Sequence, residues 1–264
     1  MNKLGVTLLS IFLCLVVFYL LVMKPEKYVQ KDIYETIKNS GVIKVGVNTD
    51  SRPFAFYNEK GELEGYDIDL SKRIAEALLG SRAQVKYVPV TPSNRLLKIS
   101  TGEVDIVIAT MTITPQRQEI IEFSVPYDIA GQALLVRSTS VVTSMSDLSG
   151  QNVGVIWGTT AEKNMVNIMP AANVVGFTTY NDAYNALKSG KIEAITSDDM
   201  ILSRFVMNDN QVKLLPKRYS KEPYGIGFRK GKGSDKLKKE LDDAITDLKQ
   251  RNVINTIHKK WLGN

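Results

Sequence analysis

The run Ala109-Thr110-Met111-Thr112-Ile113-Thr114-Pro115-Gln116-Arg117 combines hydroxyls, exposed amides and a guanidinium within nine residues. It leaves an apolar segment, Val104 to Ala109, and ends where a helix must begin. Thr114 suits the helix cap and Pro115 the first helical position. Backbone N–H groups at a helix start are unpaired and point outward, and the helix dipole adds to them. Arg117 contributes a planar fork that matches a carboxylate or phosphate. A strand, a row of hydroxyls and a helix start bearing an arginine form a site for an anion. An ordinary strand–turn–helix with a surface arginine would use the same residues.

The elements that must position this run read as alternating strands and helices. Strands are predicted over 42–48, 85–90 and 104–109, with helices over 69–79 and 95–100 between them. The pattern then restarts, with strands over 153–156, 174–178, 192–196 and 212–215. Helices open at Gly158-Thr159-Thr160, at Asp182 and at Asp198. A strand over 224–228 and helices over 235–249 and 253–261 close the chain. Such alternation implies parallel sheets with buried faces. The chain leaves the first unit near Ala130-Gly131 and returns near Pro223. Two crossings make a hinge, and a cleft between two lobes suits closure on a ligand. Ligands of open α/β sheets sit beyond the carboxyl ends of the strands. That rule selects Asn48 to Arg52, Thr110 to Arg117, Trp157 to Thr160, and Ser197-Asp198.

Further runs flank the arginine. Upstream stand Arg52-Pro53-Phe54-Ala55-Phe56 and Gly65-Tyr66-Asp67-Ile68-Asp69-Leu70, and downstream Ile120-Ile121-Glu122-Phe123-Ser124-Val125-Pro126-Tyr127. In this order, over about 42–262, the chain resembles the family 3 extracellular solute-binding proteins, amino-acid receptors of bacterial ABC importers. The resemblance implies a type II periplasmic binding protein fold, α/β, with two lobes and a two-crossing hinge. Its expected divisions are 1–31 as signal anchor or signal peptide and tether, 32–130 and 222–264 as lobe one, and 131–221 as lobe two.

The resemblance also implies roles. Arg117 matches the arginine that clamps the ligand α-carboxylate, assisted by Thr112 and the N–H of Thr160. Asp198 matches the acid that pairs with the α-ammonium, shared with the carbonyl of Thr110. A zwitterion needs one cationic and one anionic partner at fixed separation, each desolvated only when paired. Asp198 and Thr159-Thr160 could instead simply cap their helices. Arg95 could meet a side-chain carboxylate, or lie on the surface of its short helix. Gly158-Thr159-Thr160-Ala161-Glu162, Ser197-Asp198-Asp199 and Glu222-Pro223-Tyr224-Gly225 resemble the glutamate/aspartate branch. Ser51 stands where many members carry an aromatic lid, for which Arg52 or Trp157 would have to compensate. The expected ligand is glutamate or aspartate first and glutamine next. Tyr66 and Phe54 are expected in the core.

Composition narrows the alternatives. The 264 residues are 44% apolar and 23% charged, with a net charge of +6. Four Lys and one Glu within residues 1–31 supply +3 of that. The remainder is a mixed surface, with no basic block interleaved with aromatics, so nucleic acid is set aside. The 20 uncharged residues from Leu4 to Met23 are long enough to span a bilayer. The run exceeds the usual apolar core of a cleaved signal and lacks a small-residue cleavage pair, which favours an uncleaved anchor. The expected location is the periplasm or the outer face of the cytoplasmic membrane. Cys14, the one cysteine, lies in that run, and His258 reads as a helix-surface residue. These leave no cysteine- or histidine-based metal site, no cofactor and no triad. The expected partners are an L-amino acid and an ABC permease, with the receptor a monomer. A cyclohexadienyl dehydratase, which shares the fold, would need a spare general acid in the cleft. A membrane-tethered amino-acid sensor is the other alternative.

Overall fold

The computed structural model describes residues 31–263. The expected anchor at 4–23 and Cys14 lie outside the described residues. Among the described residues no helix is long and apolar enough to cross a membrane.

Helix α1 (Ile33–Ser40) starts on Asp32, whose carboxylate accepts from the Glu35 N–H at 3.0 Å. Strand β1 (Val42–Val47) buries Ile43, Val45 and Val47 completely. The short hairpin β2 (Phe56–Tyr57) and β3 (Leu63–Glu64) leads into helix α2 (Tyr66–Leu79). Gly65, before α2, has φ 136°, and a Cβ there would lie 2.2 Å from the Phe54 carbonyl oxygen. Only glycine lets the Arg52–Phe56 and Gly65–Leu70 segments approach this closely. Strand β4 (Gln84–Pro89), helix α3 (Arg95–Ser100), strand β5 (Ile106–Val107), helix α4 (Pro115–Ile120) and strand β6 (Ile121–Phe123) follow.

Strand β7 (Asp128–Ala130) leads out of this lobe into β8 (Gln132–Arg137). The second lobe continues through β9 (Asn152–Ile156), α5 (Thr160–Ile168), β10 (Asn173–Phe177), α6 (Tyr180–Lys188), β11 (Ala194–Asp198), α7 (Asp199–Asn208) and β12 (Val212–Leu214). The chain returns through β13 (Glu222–Tyr224) to β14 (Gly227–Arg229), α8 (Ser234–Gln250) and α9 (Val253–Leu262).

Two five-stranded sheets result, in the orders β4-β1-β5-β14-β6 and β10-β9-β11-β8-β12. Both are mixed, which corrects the expectation of parallel sheets. Strand β14 runs antiparallel to β5 and β6, and β8 runs antiparallel to β11 and β12. Hydropathy marks a buried strand but carries no sign for its direction. The outgoing and returning segments pair antiparallel, Asp128 with Tyr224 and Ala130 with Glu222.

His258 is not simply a helix-surface residue. Its Nδ1 lies 2.9 Å from Asp128 Oδ2, and its ring meets Tyr66 edge-on. Tyr66 donates to the same carboxylate at 3.0 Å. Helices α2 and α9 thereby grip the outgoing strand. Phe54 and Tyr66 are fully buried, as expected.

Candidate functional site

The carboxyl ends of β5, β9 and β11 converge between the lobes. The 104–109 run pairs in the sheet only at Ile106–Val107 and then bends toward the cleft. At Thr110 the bend reaches φ 47°, an uncommon value for a residue with a Cβ. The Thr114 hydroxyl accepts from the Arg117 N–H at 3.2 Å, and Pro115 occupies the first turn. This cap sets the Arg117 side chain, which is buried and not on the surface. Its Nη1 donates to the Thr112 carbonyl at 2.8 Å and its Nη2 to the Gly158 carbonyl at 3.1 Å. The second bond crosses from one lobe to the other. Burial, with Arg95 nearby, pushes the guanidinium down to about 9, while Asp198 and Glu222 oppose that shift.

Asp198 ends β11 at the cap position of α7, yet its side chain makes no cap bond. Its Oδ2 instead accepts from the Tyr224 hydroxyl at 2.5 Å. Capping therefore does not account for this carboxylate. Burial pushes it up to about 7, against the Tyr224 hydrogen bond. Ser197 beside it is buried, with its hydroxyl 3.0 Å from that of Tyr180.

Arg95 does not lie on the surface of α3. It is 3% exposed, and its Nη1 donates to the Ala109 carbonyl at 2.5 Å. It stands within electrostatic reach of Asp198, Tyr180, Tyr127 and Tyr224. Arg95, Arg117 and Asp198 therefore bring two guanidiniums and one carboxylate together, all three buried. Thr110 and Thr112 are buried beside them.

Across the cleft, Thr159 caps α5 by accepting from the Glu162 N–H at 3.3 Å, and Thr160 is the first helical residue. The first N–H groups of a helix have no partner within it, so Thr160 retains a donor. Gly158 has φ 82° and faces the Pro92-Ser93 backbone of the other lobe.

Four of the expected positions are engaged or exposed outside this cluster. The Ser51 hydroxyl is spent on the Asn48 carbonyl at 2.6 Å, while Asn48 Oδ1 accepts from the Asp50 N–H at 3.3 Å. Arg52 is exposed and lies 3.7 Å above the Phe56 ring. Trp157 is 46% exposed. The Trp157 ring lies against Gly176 of β10, so the contacts these two side chains make are with their own lobes.

The sequence reading missed Tyr224, and it missed a second set of bonds between the lobes. Asp50 accepts from the Tyr180 N–H at 2.9 Å and from Asn181 Nδ2 at 3.1 Å. Arg204 donates across to the Asp50 carbonyl at 3.2 Å and, within its own lobe, to Asn181 Oδ1 at 3.0 Å. Asp50, Asn181 and Arg204 border a groove of about 570 Å³. Tyr180, Asn181 and Arg204 lie 130 or more positions along the chain from Asp50, so no local pattern links them to it. Among the described residues no group of three or more His, Cys, Asp or Glu could hold a metal ion.

The model of the bacterial extracellular solute-binding proteins, family 3, matches residues 43–264. The chain belongs to that family. It is 37% identical over 241 residues to the ABC transporter glutamine-binding protein GlnH of Bacillus subtilis, spanning 90% of this chain and 88% of that one. It is 39% identical over 198 residues to the glutamine-binding protein of Geobacillus stearothermophilus, spanning 74% and 76%. Among solved structures, an ancestral arginine-binding protein bound to glutamine aligns with a TM-score of 0.78 at 34% identity, covering 85% of this chain and 99% of that one. The fold is thus the two-lobed α/β type II periplasmic binding protein fold.

Proposed function

We propose that this protein is the extracytoplasmic receptor of an ABC importer, and that it closes on a polar L-amino acid, glutamine ahead of glutamate. The observation that carries the reading is the burial of Arg117 and Asp198 on opposite lobes of one cleft. Arg117, with Thr112 and the Thr160 N–H, would hold the α-carboxylate. Asp198, with the Thr110 carbonyl, would hold the α-ammonium. Arg95 would face the ligand side chain. Both buried charges are costly in the free protein and gain partners from a zwitterion. The names of the two bacterial relatives favour the amide, reversing the order expected from the sequence motifs.

Ligand contacts both lobes only when they meet, so binding and closure are one equilibrium. In this reading the lobes are 32–130 with 222–264, and 131–221, and the hinge is the β7–β13 pair. An ABC permease in the membrane would be the partner that reads the closed form.

Thermal unfolding against single L-amino acids tests the reading. A ligand that binds only the native state raises the midpoint by mass action, by ~2.7 kcal/mol at 100 times Kd. Glutamine is expected to give the largest rise. A protein unmoved by every amino acid would end this reading while leaving the fold intact.

The Asp50 latch gives a second expectation. The Asp50 carboxylate bonds, to the Tyr180 N–H and Asn181 Nδ2, join the lobes and reach none of the proposed ligand groups. Asp50→Ala is expected to weaken every ligand by about tenfold, or ~1.4 kcal/mol. The order of preference should stay the same, and calorimetric titration of glutamine and glutamate checks both points.

A further inference from the structure

Behind the cleft, three buried side chains hold polar atoms without a hydrogen-bond partner among the described residues. They are both carboxylate oxygens of Asp67, Nε of Arg95 and the hydroxyl of Tyr127. Asp67 is fully buried in the first turn of α2, and its N–H donates to the Phe54 carbonyl at 2.8 Å. The glycine-dependent packing of Gly65 on Phe54 holds that turn in place. The cation in reach of Asp67 is Arg95, and Tyr127 stands within reach of both.

A buried guanidinium needs an anion, and so does the ligand ammonium. Asp198 is already engaged by Tyr224 and, in the reading above, by the ammonium. Asp67 is the remaining carboxylate near Arg95. It has no bond that would explain its burial on structural grounds.

We propose that Asp67 is a specificity-determining residue, whose carboxylate offsets the charge of Arg95, so that its ionised form widens the preference for a γ-amide over a γ-carboxylate and its protonated form narrows it. This rests on the amino-acid-receptor reading, with Arg95 at the ligand side chain. Asp67 lies within electrostatic reach of Arg95 without a hydrogen bond to it, so it would act by setting the field that the ligand meets.

The pH dependence follows. Burial pushes Asp67 up to about 8, Arg95 opposes that shift, and Asp128 adds to it. Asp128 faces it from β7, bonded to Tyr66 and His258. Raising pH through about 8 ionises Asp67 and turns the cleft against glutamate. The γ-carboxylate of glutamate itself, near ~4.3 in water, stays ionised throughout. Asp198 titrates near 7 but faces the α-ammonium, which glutamine and glutamate share. Its effect therefore cancels in the ratio of the two affinities.

The test is calorimetric titration of the protein with glutamine and glutamate between about pH 6 and about pH 10. An opposite charge a few ångströms away is worth ~1–3 pK units, so the glutamate-to-glutamine affinity ratio is expected to fall about tenfold or more across that range. In Asp67→Asn the ratio should stay flat, at the value wild type reaches in acid. Arg95→Met should also flatten it, by removing the charge that Asp67 modulates. The wild-type profile requires no variant to fold. A flat wild-type ratio, or an unchanged slope in Asp67→Asn, overturns the proposal while the receptor reading survives on glutamine binding. Failure of wild type to bind either amino acid removes both.

Discussion

Arg117→Met is expected to lose binding of every L-amino acid alike, by about 100-fold or more, while the ligand-free protein unfolds at the same temperature or higher. The two halves of this expectation have one cause. The guanidinium is buried, and among the described residues its hydrogen bonds go to two carbonyls, those of Thr112 and Gly158. Carbonyls offer partial charges, so the desolvation of Arg117 is incompletely offset, as its downward shift to about 9 records. A group whose charged form is disfavoured by the fold subtracts stability at neutral pH, where it remains charged. Methionine fills similar volume without that penalty. A ligand carboxylate would supply the missing anion, and truncating one side of such a buried charge pair costs ~2–5 kcal/mol. Calorimetric titration and thermal unfolding, run side by side, check both halves. Retained binding with a lowered midpoint would make Arg117 a structural residue.

This contrast explains why some of the site was legible in the sequence. Thr114, Pro115 and Arg117 form a cap and a first turn, and the signals that fix a helix start lie within four residues of one another. The positions after β5, β9 and β11 were legible because each follows an apolar run, and sheet topology puts such positions together. Strand direction was not, because it depends on where β8 and β14 enter their sheets. The Tyr224–Asp198 bond joins the returning strand to the other lobe, and Asp128–His258 joins the outgoing strand to the last helix. Such pairs arise from the hinge crossings, which no periodicity records. Arg95 and Asp67 show the same limit. Their residue types allow a solvated surface or a buried pair, and only tertiary packing decides between them.

Gly158→Ala is expected to weaken every ligand by about 100-fold through sterics alone. Gly158 brings no side chain to the cleft, but a Cβ there would lie 2.6 Å from the Pro92 carbonyl carbon and oxygen, and 2.7 Å from Ser93 Cα. Those are backbone atoms of the opposite lobe, so no rotamer change relieves the overlap. The lobes must stay apart by most of an ångström, and Arg117 then loses its reach to the Gly158 carbonyl. If closure falls to roughly 1% of molecules, the apparent Kd rises about 100-fold. The φ of 82° adds a local strain of ~1–2 kcal/mol for alanine, which must be separated from the clash. Gly150 provides the control, with φ 70° and nothing within 4 Å of an added Cβ. Gly150→Ala carries comparable strain without touching the other lobe, and should bind as wild type does. Titration of both variants, with small-angle scattering to follow closure, distinguishes the cases. Equal binding by the two would mean that the Pro92-Ser93 loop yields, and that the contact at Gly158 does not limit closure.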